Sequence, residues 1–304
     1  MKWQKLGLII KPGQFSWMKT HAQNPFAVRI GENTFNIFFA SRDCNNRARG
    51  GFVEIDIERP GEIIEISRKP VLDLGEIGCF DDCGVMPSCI VSHNTKHYLY
   101  YTGWSQAVVT PFTFFIGLAI STDGGETFDR YSQAPVLGRT KHDPYLTASP
   151  WVLIENNIWK IWYVSGTGWK IEEKGQKPKH YYLVKYAESK NGIQWESNDH
   201  TCINFYKDEY ALARPVVYKE NNIYKMWYSF RGGKRTYRIG YAESGNGIDW
   251  VRKDEEAGIN VSKGGWDSEM ICYPFVFDHK GTKYMLYNGN GYGKDGFGLA
   301  MMTR

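Results

Sequence analysis

Acidic residues recur at similar offsets before a repeated proline in this 304-residue chain. Asp81 and Asp82 stand six and five residues before Pro87, and Asp143 stands seven before Pro150. Glu209 stands six before Pro215, and Asp267 and Glu269 stand seven and five before Pro274. Carboxylates from distant parts of a chain that meet in one pocket can perform acid–base chemistry on a sugar. One protonates a leaving oxygen while another activates water or attacks carbon, provided their surroundings push their pKa values apart. On this reasoning Asp82, Glu209 and Glu269 are the candidate catalytic residues, with Asp143 as a fourth, and Asp81 and Asp267 are candidate substrate-binding neighbours. Each also has a plain structural reading, as a strand-edge acid paired with Lys or Arg.

Basic and aromatic residues accompany the acids. Arg42 and Arg49 lie in "ASRDCNNRARGG", Arg214 directly precedes Pro215, Arg231 lies in "SFRGGKR", and His142 adjoins Asp143. The planar fork of arginine suits carboxylate or phosphate, so this set points to an anionic group on a substrate, or to phosphate as a nucleophile. The competing reading is that these side chains neutralise the acids. Trp104 in "YYTGWS" is a candidate stacking platform for a sugar ring, and Trp169 in "SGTGW" is another.

These residues need a scaffold that repeats. "YAESKNGIQW" at 186–195 and "YAESGNGIDW" at 241–250 agree in eight of ten letters. Each follows an aromatic segment, "IWKIWYVSG" or "IYKMWYSFRGG", and before that a segment that starts after a proline. The same order occurs around Pro25, Pro87 and Pro274 as well as Pro150 and Pro215, giving five repeats of about 60 residues. Alternating apolar runs, Asn/Gly turns and 15% aromatic residues read as short strands and hairpins. The fold class predicted is all-β: a five-bladed β-propeller forming a single domain over residues 1–304. The last repeat lacks a fourth strand, so residues 3–10 are expected to close its blade as the outer strand. The "TGWKIEEKGQKPKHYY" stretch at 167–182 reads as a loop over one face.

The repeats, the "DDCGVMP" entry, the "YYTG" strand and the "GLAISTDGGETF" hairpin resemble the five-bladed glycoside hydrolase superfamily, which includes families 43, 32, 68 and 130. The resemblance spans nearly the whole chain. It implies acidic residues from different blades meeting in a central funnel. Family 43 implies a catalytic Asp beside the first blade's proline, where this chain has "HAQNP" with Asn24. The implied function is a glycosidase-type enzyme cleaving a small glycoside by hydrolysis or phosphorolysis. The alternatives are a sugar-transferring or sugar-processing enzyme of glycan biosynthesis and a non-catalytic carbohydrate-binding propeller.

Other features limit the choice. The net charge of +4, from 37 basic and 33 acidic residues, argues neither for nor against nucleic acid, but there is no long basic run and no nucleic-acid partner is expected. No apolar stretch approaches a membrane span and "LGLII" is too short for a signal-peptide core, so no membrane partner and a cytoplasmic location are expected. The six cysteines lack the spacing and companion histidines of a zinc set. Neither metal nor cofactor is expected, and the partner expected is a small-molecule carbohydrate.

Overall fold

The computed structural model describes residues 1–303. Strand β1 (Trp3–Ile10) is followed by four consecutive four-stranded antiparallel units. The first contains β2 (Thr20–Arg29), β3 (Thr34–Arg42), β4 (Ala48–Asp56) and β5 (Ile63–Ile66). The second contains β6 (Gly84–His93), β7 (Lys96–Gln106), β8 (Phe112–Ser121) and β9 (Asp129–Arg130). The third contains β10 (Thr147–Glu155), β11 (Ile158–Lys170), β12 (Lys179–Ser189) and β13 (Glu196–Ile203). The fourth contains β14 (Glu209–Glu220), β15 (Ile223–Gly232), β16 (Arg238–Ser244) and β17 (Val251–Arg252). The chain ends with β18 (Cys272–His279), β19 (Thr282–Asn288) and β20 (Phe297–Met302), and β1 pairs antiparallel with β20 as the fourth strand of that sheet.

Turn chemistry sets these hairpins. Asn156–Asn157 and Asn221–Asn222 join the first two strands of the third and fourth units with positive φ at both residues, the conformation that two-residue hairpins require and Asn tolerates. The doubled decapeptide is a second turn device. The Ser189 hydroxyl accepts the Asn191 and Gly192 N–H groups, and the Asn191 side-chain oxygen accepts those of Ile193 and Gln194. Ser244 and Asn246 repeat these bonds with Gly247, Ile248 and Asp249. The Gly192 carbonyl then accepts the buried Tyr100 hydroxyl at 2.6 Å, and the Gly247 carbonyl accepts Trp162 Nε1 at 2.7 Å. Each turn is thereby clamped onto the unit before it. Glycine is needed at the first clamp: φ is +71° at Gly192, and a Cβ there would lie 2.5 Å from the Trp159 ring.

Apolar clusters lie between successive units. Tyr100, Ile116 and Leu118 pack with Val152, Trp159 and Ile161, and Trp162 and Val184 pack with Val217 and Met226. Trp227 and Tyr241 pack with Trp3, Val276 and Met285. Phe275, Leu286 and Phe297 of the last sheet join Phe26, Phe38 and Val53 of the first unit. Burying such aromatic and aliphatic groups, at roughly 1.5–3 kcal/mol each, couples each sheet to the next.

The first strand of each unit carries a bulge where two residues face one. Asn24–Pro25, Ser149–Pro150, Arg214–Pro215 and Tyr273–Pro274 are the paired residues, and the first of each pair has positive φ. In the second unit the register places Pro87–Ser88 opposite Tyr101. Pro87 therefore stands one place earlier than the other prolines, where Asn24, Ser149, Arg214 and Tyr273 stand elsewhere. The proline alignment read from the sequence is off by one there, because the bulge rather than the proline keeps the register. The latches between units follow this bulge. The Thr102 hydroxyl accepts Ser149 N–H at 2.8 Å, Ser229 accepts Tyr273 N–H at 2.7 Å, and Asn288 Oδ1 accepts Asn24 N–H at 2.9 Å.

Residues 167–182 differ from the loop expected of them. β11 and β12 extend through this stretch, pairing Gly168 with Tyr181, Trp169 with His180 and Lys170 with Lys179, which leaves 171–178 as the connecting loop. Alternating aromatic and polar residues outweigh the charge of the segment. Among the described residues, no helix is long and apolar enough to cross a membrane.

Candidate functional site

Residues from all four units and from the last sheet line a cavity of about 280 Å³. Its lining includes Gln23, Asn24 and Arg42 from the first unit, Met86, Phe112 and Phe114 from the second, Ser149, His180 and Tyr182 from the third, Arg231 and Tyr237 from the fourth, and Tyr273 and Tyr292 from the last. No lining residue is a carboxylate.

Register explains this arrangement. Arg42 stands five residues after Ile37, and Arg231 five after Met226, where Ile37 and Met226 are matched by Val53 and Ala242 across the sheet. The two arginines thus fill the same repeat position in units one and four. Phe114, Tyr182 and Tyr237 share another, each five residues before the alanine at 119, 187 or 242 in a third strand. The sequence reading missed Tyr182, Tyr237, Tyr273, Tyr292 and His180. The doubled "YAES" motif would have found Tyr182 and Tyr237, because both stand four places before its tyrosine.

Arg231 is held without an acid. Its Nη1 donates to the Tyr292 hydroxyl at 2.9 Å, and its Nη2 meets His180 Nε2 at 3.0 Å and the Tyr182 hydroxyl at 3.2 Å. Its guanidinium also lies 4.6 Å from the Tyr237 ring centre and 5.0 Å from that of Tyr210, a cation–π cage. Arg42 donates to Gln23 Oε1 at 3.0 Å and Asn46 Oδ1 at 2.9 Å, again to neutral partners. Burial, with Arg231 beside it, pushes the His180 imidazole down to about 4. Burial, with Arg42 and Lys294 nearby, does the same to His21. Both imidazoles are therefore neutral near pH 7, while the guanidiniums stay charged. The cavity carries positive charge that its own walls do not balance. A partly buried charge of this kind favours an anionic partner.

The structure does not bring the sequence-derived acids into this cavity. Asp81, Asp143 and Asp267 are buried in three separate clusters of one design. Tyr101, Tyr163 and Tyr287, each twenty residues later in the chain, donate their hydroxyls to Asp81, Asp143 and Asp267. A cation completes each cluster: Arg130 at 2.8 Å from Asp81, Lys185 at 3.6 Å from Asp143 and Lys5 at 2.6 Å from Asp267. In the fourth unit Tyr228 turns instead to Asp254, and Arg252 bridges Asp254 and Glu209. The similar offset of Asp81, Asp143 and Asp267 thus coincides with a repeated fastening of the segment before a first strand onto the tyrosine of the second. Asp82 accepts the Gly78 N–H at 3.1 Å, with its other oxygen buried and unpartnered. Glu269 is exposed, and its backbone is tied to Asn290 and Thr236.

The remaining candidates divide. Arg42 and Arg231 line the cavity, and Arg214 is buried beside it through its neighbour Ala213. Arg49 pairs with Asp43 at 2.8 Å and Asp73 at 2.6 Å, away from the cavity lining. His142 lies 4.0 Å from Asp199. Trp104 packs against Gly84, where a Cβ would fall on the indole, and against Phe114 with ring centres 6.5 Å apart. Trp169 packs 5.3 Å from both Phe112 and His180 at the cavity rim.

Solved structures place this architecture in a known class. A glycoside hydrolase superimposes with a TM-score of 0.78 over 99% of this chain and 91% of that chain, at 16% identity. A thermostable family-43 glycoside hydrolase gives 0.67 over 96% and 91%, also at 16% identity. A family-32 β-fructofuranosidase from Bombyx mori in complex with sucrose gives 0.63 over 97% of this chain and 61% of that one, at 16% identity. The chain has the all-β fold of the propeller glycoside hydrolases. No family model matches it. Two Mycobacterium tuberculosis proteins, the uncharacterised protein Rv1502 of strain H37Rv and its counterpart MT1551 of strain CDC 1551, are each 41% identical to it over 304 residues, covering 99% of both chains. The chain belongs to the family of these proteins.

Proposed function

We propose that the protein is a carbohydrate-active enzyme of the glycosidase type and that its axial cavity holds a small glycoside bearing a carboxylate or phosphate. In this reading residues 1–304 form one five-bladed propeller. β1 closes its last blade, and the bulge residues of the five inner strands face the axis. The observation that carries the reading is the pair Arg42 and Arg231, which face one tyrosine-walled cavity with neutral partners throughout. The guanidinium forks would grip the anion. The faces of Phe112, Phe114 and Tyr182 would cover the C–H surface of the sugar. Free phosphate, as the attacking group of a phosphorolysis, would be held by the same forks.

The carboxylate-free lining favours a second reading, in which the cavity binds or passes on an anionic sugar without hydrolysing it. Hydrolysis by the usual route needs two carboxyl groups roughly 5–10 Å apart around the sugar. One calorimetric series tests the shared claim and separates the readings. Glucuronic acid and glucose 1-phosphate are titrated against glucose, with wild type and Arg231→Met. The expected result is binding of the charged sugars with a loss of about tenfold to a hundredfold in the variant, the weight of a charge-assisted hydrogen bond. Equal affinity for glucose and the charged sugars would refute the proposal. Sugar release from aryl glycosides, with and without phosphate, then assigns cleavage or binding alone.

A further inference from the structure

Arg214 is the bulge residue of β14, with φ at +53° just before Pro215. Its side chain is completely buried, and Nε, Nη1 and Nη2 each lack a hydrogen-bond partner. A guanidinium carries five N–H donors and remains charged in proteins. Burial lowers the Arg214 pKa to about 10, which still leaves the group protonated near neutrality. Removing an ion from water costs several kcal/mol unless a counter-charge meets it. Among the described residues no carboxylate supplies one. The groups that act on its charge are the Cys89 thiol and the Tyr273 phenol. Burial pushes the thiol up to about 12 and the phenol well above its usual value, so both stay neutral. A left-handed backbone on a bulky residue is itself unfavourable and persists where the surroundings impose it.

The position of the guanidinium is equally informative. Arg214 belongs to the fourth unit, Tyr273 to the last sheet and Cys89 to the second unit, two units removed in chain order from the fourth. A side chain that senses both must reach toward the centre. The equivalent bulge residues Asn24, Ser149 and Tyr273 line the cavity, whereas Arg214 does not, although Ala213 beside it does. Ser165 on β11, which packs against β14, holds a buried hydroxyl that also lacks a partner.

We infer that Arg214 forms a closed anion site on the axis, separate from the sugar cavity, that takes a small monovalent inorganic anion of halide size. The unpartnered guanidinium supplies the charge and the donors, and among the described residues no second cation acts on it, which limits the occupant to one negative charge. The inference does not depend on the sugar reading.

Two measurements test it. The first compares melting in sodium chloride and sodium bromide with sodium fluoride at matched ionic strength, for wild type, Arg214→Met and Arg231→Met. Wild type and Arg231→Met should gain about 5 °C at saturating chloride or bromide, since an ion at a hundred times its Kd binding only the folded state shifts the midpoint by that order. Arg214→Met should not respond. The second is bromide anomalous scattering from wild-type crystals, with a peak expected within hydrogen-bonding reach of the Arg214 guanidinium. Equal midpoints in chloride and fluoride for wild type, a full halide response in Arg214→Met, or water alone at the guanidinium would each overturn the inference. Loss of charged-sugar binding in Arg231→Met with the halide response intact would leave this site standing and confirm that the two are independent.

Discussion

Replacing Asp143 by Asn separates a fastening from a catalytic group. Asp143 is fully buried, takes the Tyr163 hydroxyl at 3.1 Å and the Thr140 hydroxyl at 3.2 Å, and lies 3.6 Å from Lys185. Removing one partner of a buried ion pair costs about 3–5 kcal/mol. Lys185 keeps Asp199 and the His142 carbonyl, which puts the loss near the lower end, about 3 kcal/mol. For a domain of this size that lowers the melting midpoint by roughly 5 °C. Tyr163→Phe removes one donor and should cost about 1 kcal/mol. The double variant should lose less than the sum, because the two groups are in contact. The assay is denaturant and thermal unfolding of the four proteins, alongside sugar release from aryl glycosides by the folded fraction. Asp143→Asn that melts like wild type yet loses all turnover would refute the structural assignment and restore the catalytic one.

Three further outcomes follow from the same geometry. His180 and His21 fall from 6.5 to about 4 on folding, so the unfolded chain takes up protons first. Their contribution to stability is fully present above pH 6.5 and is lost as pH falls toward 4, and His180→Gln should flatten the melting-versus-pH curve in that window. Gly117→Ala places a Cβ 2.2 Å from Tyr101 Cζ. It should cost about 1–3 kcal/mol in unfolding measurements, more than an exposed control such as Gly61→Ala. Lys5→Met removes the 2.6 Å pair to Asp267, and limited proteolysis should then cut before Gln14 faster than in wild type while the remaining sheets persist.

The strands and hairpins were legible because the turn residues and the alternating aromatics act locally. Asn156–Asn157 and the Ser-x-Asn-Gly turns dictate their own geometry before any tertiary contact forms. The pairing of β1 with β20 was also readable, from the missing fourth strand of the last repeat. The site was less so. A repeat makes every structural acid recur, and recurrence alone does not tell a fastening from a converging set. The tyrosines that hold Asp81, Asp143 and Asp267 stand at a constant distance in the chain, and that pairing was visible only once the strands were folded. The register slip at Pro87 has a similar cause, since a bulge shifts a strand by one residue and leaves no letter to mark it.

The seam between β1 and β20 has a consequence for how the molecule is made. Lys2 and Thr303 are hydrogen-bonded across almost the whole chain, and Trp3 reaches the Ala257 carbonyl. Closing a loop of about 300 residues rather than one of about 60 adds only about 1.4 kcal/mol of entropy cost, so the seam is easily held once found. It is found late, because a ribosome delivers the first edge long before its counterpart. Until then Trp3 and Ile9 face water on an unpaired strand, an opening through which another copy could be captured.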